Sequence, residues 1–252
     1  LDKNYGYAGG YNRGLKHVKN KYYALINTDL IVTKNWLNPL IKKLEANSDI
    51  AVIQPHILDF NKSKYFEYAG AAGGYIDKYG FTYCRGRILG TVEIDKGQYD
   101  LPEEIFWASG ACFVIKSKIF WDLNGFDFDF FAHQEEIDLC WRVFNQNYKI
   151  CAIGESKVFH VGGATLPKSP RKTYLNHRNS LFMLMKNLPN ENKFNILITR
   201  LFIDFITAIY YLISLKLLNI ASILRAHIAF YSSFRRFAEK EIRINKKSDY
   251  FK

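Results

Sequence analysis

Residues 135–142 have the sequence Glu135-Glu136-Ile137-Asp138-Leu139-Cys140-Trp141-Arg142, in which three acidic side chains occupy four positions before an apolar run. On a helix, Glu135 and Asp138 would share one face and Glu136 would point about 100° away. Because a nearby like charge raises the pKa of a carboxyl group, the cluster favours a proton-accepting or metal-linked role. The alternative is a helix N-terminus that is rich in acids because the helix dipole favours them there.

Strand and helix patterns alternate along the chain around this block. Apolar runs that are typical of strands occur at 21–26, 50–57, 105–115 and 149–160, and helical patterns occur at 36–45 and 135–145. Such alternation predicts an α/β fold with a Rossmann-like, mostly parallel sheet. Ligands bind beyond the carboxyl ends of strands in such sheets, and Asp29 and His160 both follow predicted strands.

The C-terminal third differs in charge and in hydrophobic pattern. Residues 168–252 hold 16 Lys and Arg against 5 Asp and Glu, which accounts for the whole net charge of +11. Three helices are predicted, at 171–188, 193–215 and 216–243. The apolar run at 201–215 is shorter than the about 20 residues that a spanning helix needs, so we expect it to be interfacial or packed. The basic, amphipathic pattern that follows favours an anionic membrane surface, and the alternative is a helical subdomain with a solvated basic face.

Three short features could bind a ligand. Asn27-Thr28-Asp29 follows a predicted strand, and its carboxylate suits Mg²⁺ or Mn²⁺ on a diphosphate, although a lone Asp there is also a common turn former. The glycines of residues 4–14 would let the backbone approach a ligand, but no predicted strand precedes them. His160 is a candidate metal ligand if it converges with Asp29, and a structural histidine otherwise.

Together these motifs resemble those of family 2 glycosyltransferases with the GT-A fold, and especially bacterial rhamnosyltransferase-like enzymes of cell-surface polysaccharide synthesis. The matching blocks are N-x-G-x-A-G-G-x-N-x-G at Asn4 to Gly14, Asn27-Thr28-Asp29, Ala108-Ser109-Gly110-Ala111, Gly125-Phe126-Asp127, residues 135–142, His160 and Asn176-His177-Arg178-Asn179. The family's first strand would precede Leu1. We therefore expect residues 1–167 to form a GT-A catalytic domain without its N-terminal strand or strands, and 168–252 to form a helical, membrane-associating extension.

The resemblance implies an inverting transfer of a sugar from a nucleotide-diphosphate sugar to a hydroxyl of a lipid-linked or polysaccharide acceptor in cell-envelope glycan synthesis. Glu136 would be the catalytic base, and Glu135 and Asp138 would support it. Asp29 and His160 would bind the divalent cation, Mg²⁺ or Mn²⁺. The implied donor-binding residues are Asn4, Gly6, Gly10, Asn12, Asn27, Asp29 and Arg178, and the implied acceptor-binding residues are Trp107, Gly110 and Trp141.

Two positions depart from the family pattern. Asn27 replaces the first Asp of the metal-binding DxD motif, which leaves fewer charged ligands. Glu136 replaces the usual Asp, and its arm is longer by one methylene. The four cysteines form no CxxC pair, which indicates free thiols in a reducing compartment. We therefore expect a cytoplasmic protein, and the basic tail suggests that it lies on the inner face of the plasma membrane.

Two other classes of function remain as alternatives. A nucleotidyltransferase acting on sugar phosphates would also use a nucleotide-binding α/β domain and a metal. A nucleic-acid-binding module would explain the basic tail, but such modules interleave Lys and Arg with base-stacking aromatics on an open face. The tail is too apolar between its charges for that arrangement, so we expect no nucleic-acid partner.

Overall fold

The computed structural model describes residues 2–161, 169–241 and 246–251. The strands are β1 (Tyr22–Ile26), β2 (Leu30–Val32), β3 (Ile50–Asp59), β4 (Gly74–Ile76), β5 (Thr82–Cys84), β6 (Arg87–Ile88), β7 (Thr91–Val92), β8 (Glu103–Ile105), β9 (Cys112–Lys116) and β10 (Lys149–His160). The helices are α1 (Gly6–Leu15), α2 (Leu37–Ala46), α3 (Ser117–Asp122), α4 (Glu135–Asn145), α5 (Pro170–Asn187), α6 (Asn190–Ile213), α7 (Leu217–Ser232) and α8 (Phe234–Glu241), with a 3-10 turn at Phe128–Phe130.

The central sheet has the order β1-β9-β3-β10-β2, and β8 also pairs with β10. The α/β class is confirmed, but the sheet is mixed rather than mostly parallel. β3 and β10 form a parallel pair, whereas the other pairs of this sheet are antiparallel. The reason is that β9 runs between β1 and β3 in the opposite direction, and β2 and β8 likewise run opposite to β10.

The strand predicted at 105–115 is interrupted. β8 ends at Ile105 and β9 begins at Cys112, and a turn separates them. Gln54 on β3 holds this turn, since its Oε1 accepts from the Ser109 backbone N at 2.7 Å. The Ser109 hydroxyl donates to the Ala69 carbonyl at 2.8 Å. These bonds satisfy the backbone locally, so the apolar run cannot continue as one strand.

Both faces of the sheet are covered. Helix α2 packs Leu40 and Leu44 against one face. The other face forms the main core with α1, α3 and α4, where Phe113, Phe120 and Trp141 are buried. Because the sheet is covered on both sides, ligands can approach only at the strand ends, where the candidate residues lie.

The C-terminal helices pack onto this same core. Helix α5 begins at a Ser169 cap, whose hydroxyl accepts from the Lys172 backbone N at 3.3 Å. Phe182 of α5 stacks on Phe237 of α8, with ring centroids 3.9 Å apart. Tyr250 lies 4.9 Å from the Trp141 ring. The predicted domain boundary at 167/168 lies outside the described residues and stays a prediction.

The helix bounds in this part differ from expectation in two places. Helix α6 spans Asn190–Ile213, so it begins three residues before and ends two residues before the predicted segment 193–215. The helix predicted at 216–243 is two helices, since α7 ends at Ser232 and α8 starts at Phe234; residues 242–245 lie outside the described residues.

Candidate active site

The approach to α4 is a strained loop. Phe131, His133 and Gln134 have φ angles of 63°, 73° and 68°, in the left-handed region that side-chain-bearing residues seldom adopt. Such strain persists only where the surroundings hold it in place, and it clusters at functional sites. The loop therefore fixes where the first turn of α4, with its acidic side chains, begins.

Asn179 on α5 holds this loop. Its side-chain amide nitrogen donates to the carbonyls of Phe130, Ala132 and His133 at 2.9, 2.9 and 2.7 Å. Arg178, placed beside it, donates to the carbonyls of Asp129 and Phe130 at 2.9 and 3.1 Å. The predicted contact of Arg178 with a donor phosphate has no geometric support, because the guanidinium serves this loop instead.

Glu136 lies half-buried at the start of α4. Burial raises its pKa to about 7, against partly opposing hydrogen bonds from the backbone. A Cβ built on Gly110 would be 3.4 Å from Glu136 Cδ, which places the carboxyl group directly over the Gly110 backbone. Its Oε2 is buried and has no hydrogen-bond partner among the described residues. This side chain therefore has the near-neutral pKa and the open hydrogen-bonding position that a general base requires.

Glu135 is more deeply buried than Glu136, with 3% of its surface exposed. Burial, followed by the neighbouring Glu136 carboxyl, raises its pKa well above the ordinary value. Its Oε2 also has no partner among the described residues. Burial thus shifts Glu135 towards its protonated form, which carries no negative charge beside Glu136.

Asp138 has a different environment from the two glutamates. It is fully buried and forms ion pairs with Arg142 and Lys186, each at 2.9 Å. The Asn187 amide donates to its other oxygen at 2.8 Å. Despite burial, these cations hold its pKa below the ordinary value. Both oxygens of Asp138 therefore hold α4 to α5, which favours a structural role over the supporting catalytic role predicted for it.

Asp29 and His160 come together, as the sequence suggested. His160 Nε2 lies 3.1 Å from Asp29 Oδ1, because β2 pairs antiparallel with the end of β10. On the other side of the ring, Nδ1 lies 3.5 Å from Glu67 Oε1. Burial lowers the pKa of His160, but the Glu67 and Asp29 carboxylates outweigh it, so the pKa is raised.

This arrangement suits a divalent cation in its donor chemistry. A carboxylate on Nδ1 orients a histidine so that Nε2 can ligate a metal, and such outer partners tune metal sites. Within residues 2–161, 169–241 and 246–251, no group of three or more His, Cys, Asp or Glu side chains is arranged to hold a metal ion by itself. Asp29 and His160 would thus be two protein ligands, and substrate phosphates would have to supply others.

Backbone contacts connect the Glu136 and Asp29 parts of the site. The Asn27 backbone N donates to the Ala111 carbonyl at 2.9 Å, next to the Gly110 backbone beneath Glu136. Tyr7 Oη donates to the Gly110 carbonyl at 2.7 Å, and Tyr11 Oη donates to the Ile26 carbonyl at 2.9 Å. The two groups of candidate residues therefore lie along one end of the sheet.

The glycine-rich block forms helix α1 rather than a ligand-binding loop. Asn4 Oδ1 accepts from the Gly6 backbone N at 2.8 Å. Gly6 has φ +70°, and a Cβ there would lie 2.2 Å from the Phe131 carbonyl oxygen. Asn12 uses both amide atoms on the Phe126 backbone, at 2.7 and 2.9 Å. Gly6 and Asn12 thus pack α1 against the approach to α4. Gly10 meets no atom within 4 Å at a built Cβ.

The two tryptophans predicted to bind acceptor lie in the core. Trp107 Nε1 donates to the Tyr75 carbonyl at 2.8 Å, and its ring lies against Gly74. Trp141 is fully buried, with Phe106 at 5.4 Å between ring centroids. Their rings do not face an acceptor, because apolar packing occupies them; Gly110 lies at the site, beneath Glu136.

Sequence reasoning missed several residues that complete the site. Glu67 comes from a loop after β3, and no local pattern marks it. Asn179 and Lys186 lie on α5 and contact the loop before α4 and Asp138, so only these contacts reveal their part in the site. Tyr7 and Tyr11 carry a usable signal, because their spacing of four residues places them on one face of a helix.

Comparisons with known proteins address the family and the fold. Residues 1–123 match the sequence model of the family described as Glycosyl transferase family 2. The structure resembles that of GalNAc-T7 with UDP, GalNAc and Mn²⁺, with a TM-score of 0.56 and 15% identity over 75% of this chain and 36% of that chain. This likeness supports the GT-A fold.

Another similar structure is the mannosyltransferase PcManGT from Pyrobaculum calidifontis with GDP-Man and Mn²⁺, at a TM-score of 0.44 and 10% identity over 92% of this chain and 62% of that chain. The chain thus spans less than two thirds of either protein. None of the curated proteins compared with the chain matches it.

Proposed function

We propose that this protein transfers a sugar from a nucleotide-diphosphate sugar to a hydroxyl group, with inversion at the anomeric carbon. The match of residues 1–123 to the model of Glycosyl transferase family 2 supports the sugar transfer. The observation that carries this proposal is the position of Glu136. Its carboxyl lies over Gly110, at the same end of the sheet as the Asp29–His160 pair.

The proposed reaction is a single displacement. The acceptor hydroxyl attacks the anomeric carbon while its proton passes to Glu136, and the bond from that carbon to the diphosphate oxygen breaks. A general base works best when its pKa is close to the working pH, and Glu136 meets this condition. Glu135 beside it has a pKa raised by burial, and in its protonated form it would add no second negative charge against the diphosphate.

Asp29 and His160 would hold a divalent cation, which would neutralise charge on the leaving diphosphate. Glu67 would orient the His160 ring for this task. The Mn²⁺ and UDP in the GalNAc-T7 structure support a donor and cation of this kind. The family match favours sugar transfer over nucleotidyl transfer.

The acceptor and the location are the finer parts of the proposal. We take the acceptor to be a lipid-linked or growing polysaccharide of the cell envelope, met at the cytoplasmic face of the plasma membrane. The support is the basic C-terminal third, whose charge suits anionic lipid headgroups. The rhamnosyl-like subtype rests on the motif resemblance.

The test is turnover of a panel of UDP-, GDP- and dTDP-sugars with Mn²⁺, followed through nucleoside diphosphate release and the anomeric configuration of the product by NMR. Glu136→Gln should reduce turnover at least about 100-fold, the scale of a lost general base. Glu45→Gln, an identical change at an exposed ion pair with Lys21, is the matched control and should leave turnover unchanged. Full turnover by Glu136→Gln would refute the base assignment.

A further inference from the structure

Helix α6 carries an exposed, mostly apolar face from Phe194 to Ile213. Among the described residues it is the one helix that is long and apolar enough to cross a membrane, and only 17% of its most apolar stretch is buried. At about 100° per residue, its exposed apolar side chains occupy one half of the helix surface. They are Phe194, Ile198, Leu201, Phe202, Phe205, Ile206, Ile209, Tyr210, Leu212 and Ile213.

The exposed face has no charge between Phe194 and Leu215. The charged residues in that range are Arg200 and Asp204, and both are buried on the opposite side of the helix. Asp204 lies 2.9 Å from both His177 Nδ1 and His227 Nε2. Arg200 donates to the Ser180 hydroxyl at 2.6 Å. Both charged groups thus have partners inside the helical bundle, and the outer face from Phe194 to Ile213 is uncharged and mostly apolar.

The inner face of α6 excludes a spanning arrangement of the helix in this fold. Ile196 is part of the main core, and Arg200 donates to the Gly80 carbonyl at 3.4 Å. The first half of α6 is therefore fixed to the catalytic part of the protein. The exposed face can meet a membrane only from the side, with the helix axis in the plane of the interface, as in interfacial helices.

Basic residues of the same helical part point to the occupant of this face. Lys216 follows the face directly in the α6–α7 turn, and Arg225 is exposed on α7, which packs against α6. All of the net charge of +11 belongs to residues 168–252. A second copy of this chain would bring like charges together, whereas an anionic bilayer supplies both an apolar interior and opposite charge.

We propose that the exposed half of α6, from Phe194 to Ile213, lies flat in an anionic lipid bilayer as the membrane-docking surface of this protein. Lys216 and Arg225 contact the headgroups beside it. This inference deepens the proposed function, and it rests on that function only in assuming that the acceptor is met at a membrane. With α6 docked in this way, the whole protein, including the catalytic end of the sheet, is attached to one leaflet of the bilayer.

The test is co-sedimentation with phosphatidylcholine vesicles, with and without about one third phosphatidylglycerol. The variant Phe202→Asp/Phe205→Asp should lose about 100-fold in vesicle partitioning, while Phe202→Leu/Phe205→Leu, the matched control, should retain it. Both sites are exposed, so melting curves of the variants should match the parent. Lys216→Gln and Arg225→Gln should each cost about fivefold on anionic vesicles and nothing on neutral ones.

The outcomes separate this inference from the proposed function. The docking surface is overturned if the Asp variant binds vesicles as well as the parent does. It is also overturned if the parent forms dimers through this face and does not bind vesicles. If binding follows the prediction but no nucleotide sugar is turned over, the docking surface stands and the proposed function fails. If the Asp variant no longer binds vesicles or uses lipid-linked acceptors but still glycosylates a soluble acceptor, the docking surface and the proposed function are both supported.

Discussion

Glu136→Gln should make the folded protein more stable while it removes activity. The pKa of Glu136 is raised by burial from an ordinary 4.5 to about 7. A folded-state pKa above the unfolded value means that the unfolded chain loses this proton first as pH rises. The Glu136 carboxyl group therefore lowers the free energy of unfolding progressively between those two pH values. The full loss is reached above the higher value.

The magnitude follows from the same two values. Each pKa unit is worth about 1.4 kcal/mol, so the carboxyl costs at most about 3 kcal/mol at pH 8. Glutamine has nearly the same shape and no charge to desolvate, so the variant recovers most of that free energy. Below about pH 4.5 the glutamate is protonated in both states and the advantage of the variant should vanish.

The assay is urea denaturation of the parent and the variant at half-unit steps from about pH 4.5 to 8. The difference in unfolding free energy should grow with pH and level off above neutrality. Glu45→Gln, at an exposed pair, should give less than about 1 kcal/mol and little pH dependence. A constant difference between Glu136→Gln and the parent at all pH values would contradict the raised pKa and the general-base argument with it.

Further predictions concern the same site. In the parent, sugar transfer should rise with pH and level off above about 7 as Glu136 loses its proton, measured as kcat against pH. Glu67→Gln should weaken Mn²⁺ binding about 10-fold in calorimetric titration at unchanged melting temperature, because it orients His160. Asn179→Ala should cost about 3 kcal/mol and lower kcat, since three carbonyls lose a donor. Asp138→Asn should cost about 3 kcal/mol in urea denaturation, because Lys186 loses a buried partner, and should leave kcat of the folded fraction intact.

Structure could be predicted from the sequence most accurately where a single pattern, such as the apolar period of a helix, covers consecutive residues. Helix α4 has the predicted bounds, because its apolar positions follow a single period. Asp29 and His160 lie close together as expected. Asp29 directly precedes β2, and β2 pairs antiparallel with the end of β10 that carries His160. The direction of β9 was not predictable, because periodicity reports burial and not the direction of a neighbouring strand.

The acidic block shows the same limit at the level of single side chains. Its three carboxyl groups are alike in sequence but take separate roles through distant partners. Lys186 and Arg142 hold Asp138 ionised, while Glu135 and Glu136 have no such cation and are shifted towards the protonated form by burial. Sequence spacing could separate Glu136 from the others by direction, but only the contacts of α5 could separate Asp138 from Glu135.

Helix α5 therefore belongs to the reaction centre as much as to the helical part. Asn179 fixes the loop that starts α4, and Lys186 neutralises Asp138 beneath Glu136. Lys186 and Lys240 of α8 both pair with Asp127, at 2.9 and 2.7 Å. Helices α5 and α8 are thus bonded directly to the elements that position the proposed base, and α6 is bonded to α5, since Arg200 donates to the Ser180 hydroxyl. A bilayer that holds α6 would orient the catalytic end of the sheet through this connection, without any change in the fold.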